Sequence, residues 1–201
     1  AEPGRATARV DLIKILGRLP HPRVVEILLA ELDREVGKAQ ASVLRALERQ
    51  AKLRPLPAAA TEIIQRYVSF ELEQYSHYQH WQRALPHDGL AAERLLRLAL
   101  EEEAGFVIER VFDGLALLYG PDMHRIEREI TTGSTRARAT ALELIDTLLP
   151  TELSRRLLSL LEPSTRTVDP LPMGHALALA ELLKHPKPWL RSCAACYVGE
   201  S

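Results

Sequence analysis

Apolar residues recur along the chain at i, i+3, i+4 and i+7, the spacing that places them on one face of an α-helix. Leu12, Ile15, Leu16 and Leu19 make one such set. Val25, Leu28, Leu29 and Leu32 make a second, Ala141, Leu144, Ile145 and Leu148 a third, and Ala176, Leu179, Ala180 and Leu183 a fourth. Each stripe needs a neighbour to cover it. Prolines stand between the stripes, at positions 20 and 22, 55 and 57, 86, 121, 150, 163, 170 and 172, 186 and 188. Inside a helix a proline forfeits a hydrogen bond and clashes with the preceding turn, at a cost of about 3 kcal/mol. The proline-free intervals therefore read as helices and the proline clusters as corners.

The pattern predicts helices near 7–19, 22–36, 38–53, 58–85, 90–119, 122–131, 135–149, 151–161, 171–185 and 187–198. Two of these are long enough to break, with Gly105 or Gly114 as the candidate break point in the second. Gly120-Pro121-Asp122 reads as a stop, a corner and an N-cap, and Gly133-Ser134 plays the same part before the next helix.

Composition turns this pattern into a fold class. Of 201 residues, 35 are Leu and 25 are Ala, while aromatics make only 5%. Leu and Ala favour helices and β-branched residues favour strands, so the chain is expected to be all-α. A β-sandwich, a barrel and a parallel α/β sheet are excluded as readings. The two cysteines, Cys193 and Cys196, cannot build a disulfide scaffold. No run of 18 uninterrupted apolar residues is present, so no direct membrane insertion is expected. A chain that opens without Met and stops within a helical pattern at Val198-Gly199-Glu200-Ser201 reads as a piece of a longer protein.

Charge narrows the expected partners. Twenty-six Lys and Arg against 27 Asp and Glu leave a net charge of −1. A surface that tracks phosphates usually carries a basic excess, so nucleic acid is not expected as a partner. Residues 1–56 carry 11 basic and 7 acidic groups, and residues 61–104 carry 4 and 8. That makes a mildly two-toned surface without a polybasic arm.

Short helices joined by proline corners suggest a helical repeat. Three nine-residue windows align without gaps: Arg9–Gly17, Arg138–Asp146 and Arg191–Gly199. Each opens on Arg, carries small or apolar residues three and four later, and closes on Gly or Asp. Small residues on an inner face let stacked helices approach, and the Arg can reach acids or carbonyls of a neighbour.

On these residues the chain resembles the HEAT-repeat family. Thr7–Leu32, with its corner Leu16-Gly17-Arg18-Leu19-Pro20-His21-Pro22-Arg23, looks like one full repeat, and Trp189–Gly199 looks like the opening helix of another. Within residues 106–161 the resemblance is more specific. It lies in Glu109-Arg110-Val111-Phe112, Leu117-Leu118-Tyr119, Arg138-Ala139, Ala141-Leu142-Glu143-Leu144-Ile145-Asp146 and Leu148-Leu149-Pro150. This stretch is similar to a segment of certain bacterial proteins. Those join a membrane transporter of the ATP/ADP-translocase-like, major-facilitator type to HEAT repeats and a cyclic-nucleotide-binding domain. The resemblance implies an α-α superhelix of nine or ten helices acting as a cytoplasmic segment of a transporter-like protein. It covers about half the chain. As a single domain over 1–201, first repeats would occupy 1–54, an irregular long-helix section 55–120, and further repeats 121–201.

Candidate chemistry is sparse. Cys193-Ala-Ala-Cys196 has CxxC spacing, but it falls within a helix and lacks the second pair that a four-ligand zinc site needs, so both read as core residues. His77 and His80 lie at i, i+3 with Glu73 one turn earlier, a spacing that suits a divalent cation or an ordinary wet helix face. Five of the ten aromatics, Tyr67, Phe70, Tyr75, Tyr78 and Trp81, fall within 15 residues. Tyr75, Tyr78 and Trp81 with His77 and His80 form the candidate partner-binding patch, since Tyr and Trp are enriched at binding hot spots. The same residues also suit a core that fills a gap between helices. Arg125, Arg128, Arg136 and Arg138 gather round one corner, interleaved with Glu127 and Glu129, and read as local ion pairs. Glu101-Glu102-Glu103 reads as a wet turn. No phosphate loop, HExxH or GxSxG motif is present.

The expectation is a non-enzymatic module for protein–protein or interdomain contact, without cofactor, metal or small-molecule ligand. The alternative is a HEAT-like enzyme of the bilin lyase or DNA glycosylase kind.

Overall fold

The computed structural model describes residues 3–32, 38–162 and 174–200. Ten helices make up the fold among these residues, and no strand is present. They are α1 (Pro3–Leu16), α2 (Pro22–Leu32), α3 (Lys38–Leu53), α4 (Ala58–Ala84), α5 (Ala91–Tyr119), α6 (Asp122–Thr132), α7 (Thr135–Leu148), α8 (Thr151–Leu161), α9 (His175–Leu182) and α10 (Pro188–Glu200). The all-α expectation holds, and among the described residues the proline corners mark the helix ends; those at 163, 170 and 172 lie outside the described residues. The expected stretches 33–36 and 171–173 lie outside the described residues. None of the described helices is long and apolar enough to cross a membrane.

Two compact units emerge, and the division falls within α4, α5 and α8. The first comprises Ala1–Glu71 and Glu109–Arg155, the second Leu72–Ile108 and Arg156–Ser201.

In the first unit α3 packs against both α1 and α2. Val24, Val25, Leu28, Leu29 and Leu32 of α2 are buried, as are Val43, Leu44, Ala46 and Leu47 of α3. Gly17, just past α1, sits where a β-carbon would come within 2.7 Å of the Ala46 β-carbon. The corner is held by Gln50 of α3, fully buried, whose Nε2 donates to the carbonyls of Gly17 and Leu19, each at 3.0 Å.

Where α4 and α5 belong to this unit, the close approach is made at Gly114. A β-carbon there would lie 2.6 Å from Cγ2 of Val68. Neither Gly114 nor Gly105 breaks α5, which runs unbroken for 29 residues. A single glycine costs a helix only about 1 kcal/mol relative to Ala, and strong helix formers flank both. Nearby, Arg110 Nε and Nη2 donate to the two carboxylate oxygens of Glu71 at 3.2 and 2.8 Å, a buried bidentate pair.

Gly120, at φ +103°, turns the chain out of α5. The expected N-cap at Asp122 is corrected: Pro121 takes that place with φ −68° and ψ −13°, and Asp122 is the first helical residue with no capping bond. Proline's fixed φ already suits the helix, so the first turn begins one residue early. Ser134 does cap α7, its hydroxyl accepting from the Ala137 amide at 3.3 Å. Met123, Ile126 and Ile130 of α6 and Ala141, Leu142 and Ile145 of α7 bury the inner faces of this packed pair.

In the second unit the core gathers Tyr78 and Trp81 of α4, Leu85 just past it, Leu96, Leu100 and Val107 of α5, Leu182 of α9, and Leu190, Cys193, Ala194 and Tyr197 of α10. Arg97 ties the end of α4 to α5 by donating to the carbonyls of Gln82, Leu85 and Pro86. Tyr197 donates its hydroxyl to Asp88 at 2.7 Å.

Two of the four apolar stripes face outward. Val25, Leu28, Leu29 and Leu32 are all buried, and Ala141 and Ile145 are buried. On α1, however, Leu12 is 59% exposed and Ile15 56%, and Leu19 beyond it 46%. Ile13 is the buried residue there instead. On α9, Ala178 and Leu182 are buried, while Ala176, Ala180 and Leu183 are exposed.

Candidate functional site

The aromatic segment of α4 divides between core and surface. Tyr78 and Trp81 are 3% and 7% exposed, so they belong to the core rather than to an exposed patch. Their rings meet edge to face at 5.3 Å, and each meets the His185 ring, at 6.0 and 5.5 Å. Their polar tips are satisfied inside: Trp81 Nε1 donates to Glu181 at 2.8 Å, and the Tyr78 hydroxyl lies 3.4 Å from His185 Nε2. Tyr75 is half-buried against the same core. Of the five residues expected as a patch, His77 is exposed and His80 half-buried.

Both histidines line an open groove of about 290 Å³ with Glu73, Ser76, Arg156, Ser159 and Leu160. Arg156 lies 3.4 Å from Glu73, and Gln79 donates to the Leu160 carbonyl at 2.7 Å, joining α4 to α8. His80 Nδ1 lies 2.7 Å from the Ser76 carbonyl of its own helix. Glu73, His77 and His80 are not assembled as a cation triple: the carboxylate faces an arginine and one imidazole turns back to the backbone.

His185 sits between the aromatics as a neutral ring. The Lys187 amide donates to its Nδ1 at 3.2 Å, which requires that nitrogen to be unprotonated. Burial, then the Lys187 charge, hold its pKa below the usual histidine value.

A different cluster assembles in the first unit. Glu48 of α3, Asp113 of α5 and His124 of α6 offer ligand atoms that all lie within 4.8 Å of one another. His124 Nε2 is 2.6 Å from Glu48, and its Nδ1 is 3.7 Å from Asp113 Oδ1 and 4.0 Å from Glu127. Asp113 is 6% exposed, and its Oδ2 is buried with no hydrogen-bond partner. Burial raises the Asp113 carboxyl to about 6 and the Glu127 carboxyl to about 7. The neighbouring Arg45 is engaged by Glu109 at 3.0 Å. No spacing motif reveals this group, because three helices supply it. The one sequence signal is a carboxylate set inside the apolar run Val111-Phe112-Asp113-Gly114-Leu115.

The remaining candidates resolve simply. Cys193 is buried and Cys196 exposed, both as free thiols, which corrects the expectation that both are core residues. The helix period explains it: three residues' separation carries Cys196 past the edge of the inner face. Arg125 lies 3.9 Å from Asp122, and Arg138 Nη1 donates to the Ile130 carbonyl at 2.7 Å. Glu103 pairs with Lys187, while Glu101 and Glu102 are exposed.

Comparison of the chain with family models, with curated proteins and with solved structures finds no match.

Proposed function

We propose that this chain is a non-enzymatic module for protein–protein or interdomain contact, built as a HEAT-like superhelix and serving as a cytoplasmic scaffold segment of a larger transporter-like protein. The transporter setting rests on the sequence resemblance alone. The observation that supports the contact role is the outer face of α1. Leu12 and Ile15 lie on one face of the helix and Leu19 in the turn just past it, and each is close to half exposed or more. Covering such a side chain is worth roughly 1 kcal/mol, about half of what full burial gives. A second apolar helix is the occupant that suits a stripe of this width, from an adjacent domain or a partner protein.

The test places a photocrosslinking residue at position 12 of the full-length gene product in cells. Crosslinks to one defined helical segment, lost when Ile15 and Leu19 are changed to Ser, support the reading. The same serine substitutions should shift the thermal midpoint of the isolated chain by no more than about 2 °C, as expected of surface positions. Absence of any crosslink to protein at this face overturns it.

A further inference from the structure

We propose that Glu48, Asp113 and His124 form a binding site for a divalent transition-metal ion of the zinc type, with Glu127 as the adjoining donor.

The unpaired Asp113 oxygen points to it first. A carboxylate oxygen that is buried without a partner loses its hydration and gains nothing in return, a loss that native structures rarely leave uncompensated. The Asp113 Oδ2 is such an atom, on a side chain that is itself buried. Arg45 does not fill the need, since Glu109 holds it. His124 Nδ1 stands 3.7 Å from the other carboxylate oxygen, Oδ1, beyond hydrogen-bonding distance, while its Nε2 already meets Glu48.

The spacing fits a cation. Zinc bound by nitrogen and oxygen at about 2.0–2.2 Å brings donors to roughly 3.4 Å from one another in a tetrahedron. The three donor atoms are within 4.8 Å already, so side-chain rotation closes the remaining gap. One imidazole among carboxylates suits zinc and its first-row neighbours, while magnesium and calcium prefer oxygen alone. Because each ligand comes from a different helix, the ion would tie α3 to α5 and α6, so that its binding energy adds to folding stability.

The experiment strips the purified chain with chelator and adds zinc, magnesium or calcium chloride. The readouts are titration calorimetry, thermal midpoint, and the visible absorption of a cobalt(II) substitute. Zinc is expected to bind one per chain and to raise the midpoint by about 5 °C or more at a hundredfold excess over Kd. Magnesium and calcium should not. Asp113→Asn and His124→Gln should each weaken zinc binding at least tenfold and abolish the cobalt spectrum. The variant Asp113→Asn removes the buried charge, so it should fold at least as well as the parent without metal. The groove and thiol controls, His77→Ala with His80→Ala and Cys193→Ala with Cys196→Ala, should retain full binding. Zinc binding that survives Asp113→Asn, binding lost in either control, or no binding at micromolar zinc overturns the proposal.

Discussion

Gly114 of α5 lies so close to Val68 of α4 that a β-carbon on it would stand 2.6 Å from the valine Cγ2. Valine is stiff in a helix and Val68 is buried, so it has little room to yield. Gly114→Ala should therefore destabilise the chain by about 1–3 kcal/mol, the cost of overpacking outweighing the better helix propensity. Adding Val68→Ala should recover part of that loss. Gly105 has nothing within 4 Å, so Gly105→Ala should stabilise by about 0.5–1 kcal/mol. Urea denaturation of the three variants checks this; equal effects of alanine at the two glycines would refute the close approach.

The aromatic segment makes a second comparison. Trp81→Ala should cost about 3–5 kcal/mol, because it empties a core position and leaves Glu181 without its indole donor. His77→Ala, on the exposed side of the same helix, should change stability by less than about 0.5 kcal/mol. Thermal unfolding of the two single variants decides it. A tolerant Trp81 would mean that these rings are available to a partner after all.

Acidification should loosen the second unit through His185. Its pKa is depressed in the folded chain, so below about 6.5, the ordinary histidine value, the unfolded chain binds more protons. The stability that comes from holding the ring neutral is complete above that value and is lost as the pH falls through it. Glu103, Lys187 and Arg191 are the charges that face the ring, and two of the three oppose protonation. In His185→Phe, which retains a ring without a titrating nitrogen, unfolding midpoints from pH 8 to 5 should fall less steeply than in the parent. Parallel profiles would remove His185 as the cause.

The proline corners and the 3.6-residue period carried most of the fold, because a missing amide and a helical stripe are local properties. Facing is not local. The windows that open on Arg9, Arg138 and Arg191 share their spacing but not their burial. Three positions after the Arg, Leu12 is exposed while Ala141 and Ala194 are buried. The arginines also differ: Arg9 pairs with Glu31, whereas Arg138 and Arg191 donate to carbonyls of the preceding helix or corner. A stripe's width shows that it wants cover, but which of two apolar faces is covered depends on neighbours far along the chain. The candidate patch failed as a surface for the same reason, since only packing with α9 and α10 sends Tyr78 and Trp81 inward. The Glu48, Asp113 and His124 group was illegible because no two of its members share a helix.

The grip of Gln50 on the Gly17 and Leu19 carbonyls sets the smallest piece of this chain able to fold. Pro20 and Pro22 donate no amide to that corner, so the Gly17 carbonyl depends on a side chain from the third helix, while the Leu19 carbonyl also accepts from the His21 amide at 2.8 Å. A two-helix hairpin cut after Leu32 would leave the Gly17 carbonyl and the underside of Gly17 bare. The cooperative unit at this end is thus three helices, and protection from amide exchange in α1 and α2 should vanish together when α3 is removed.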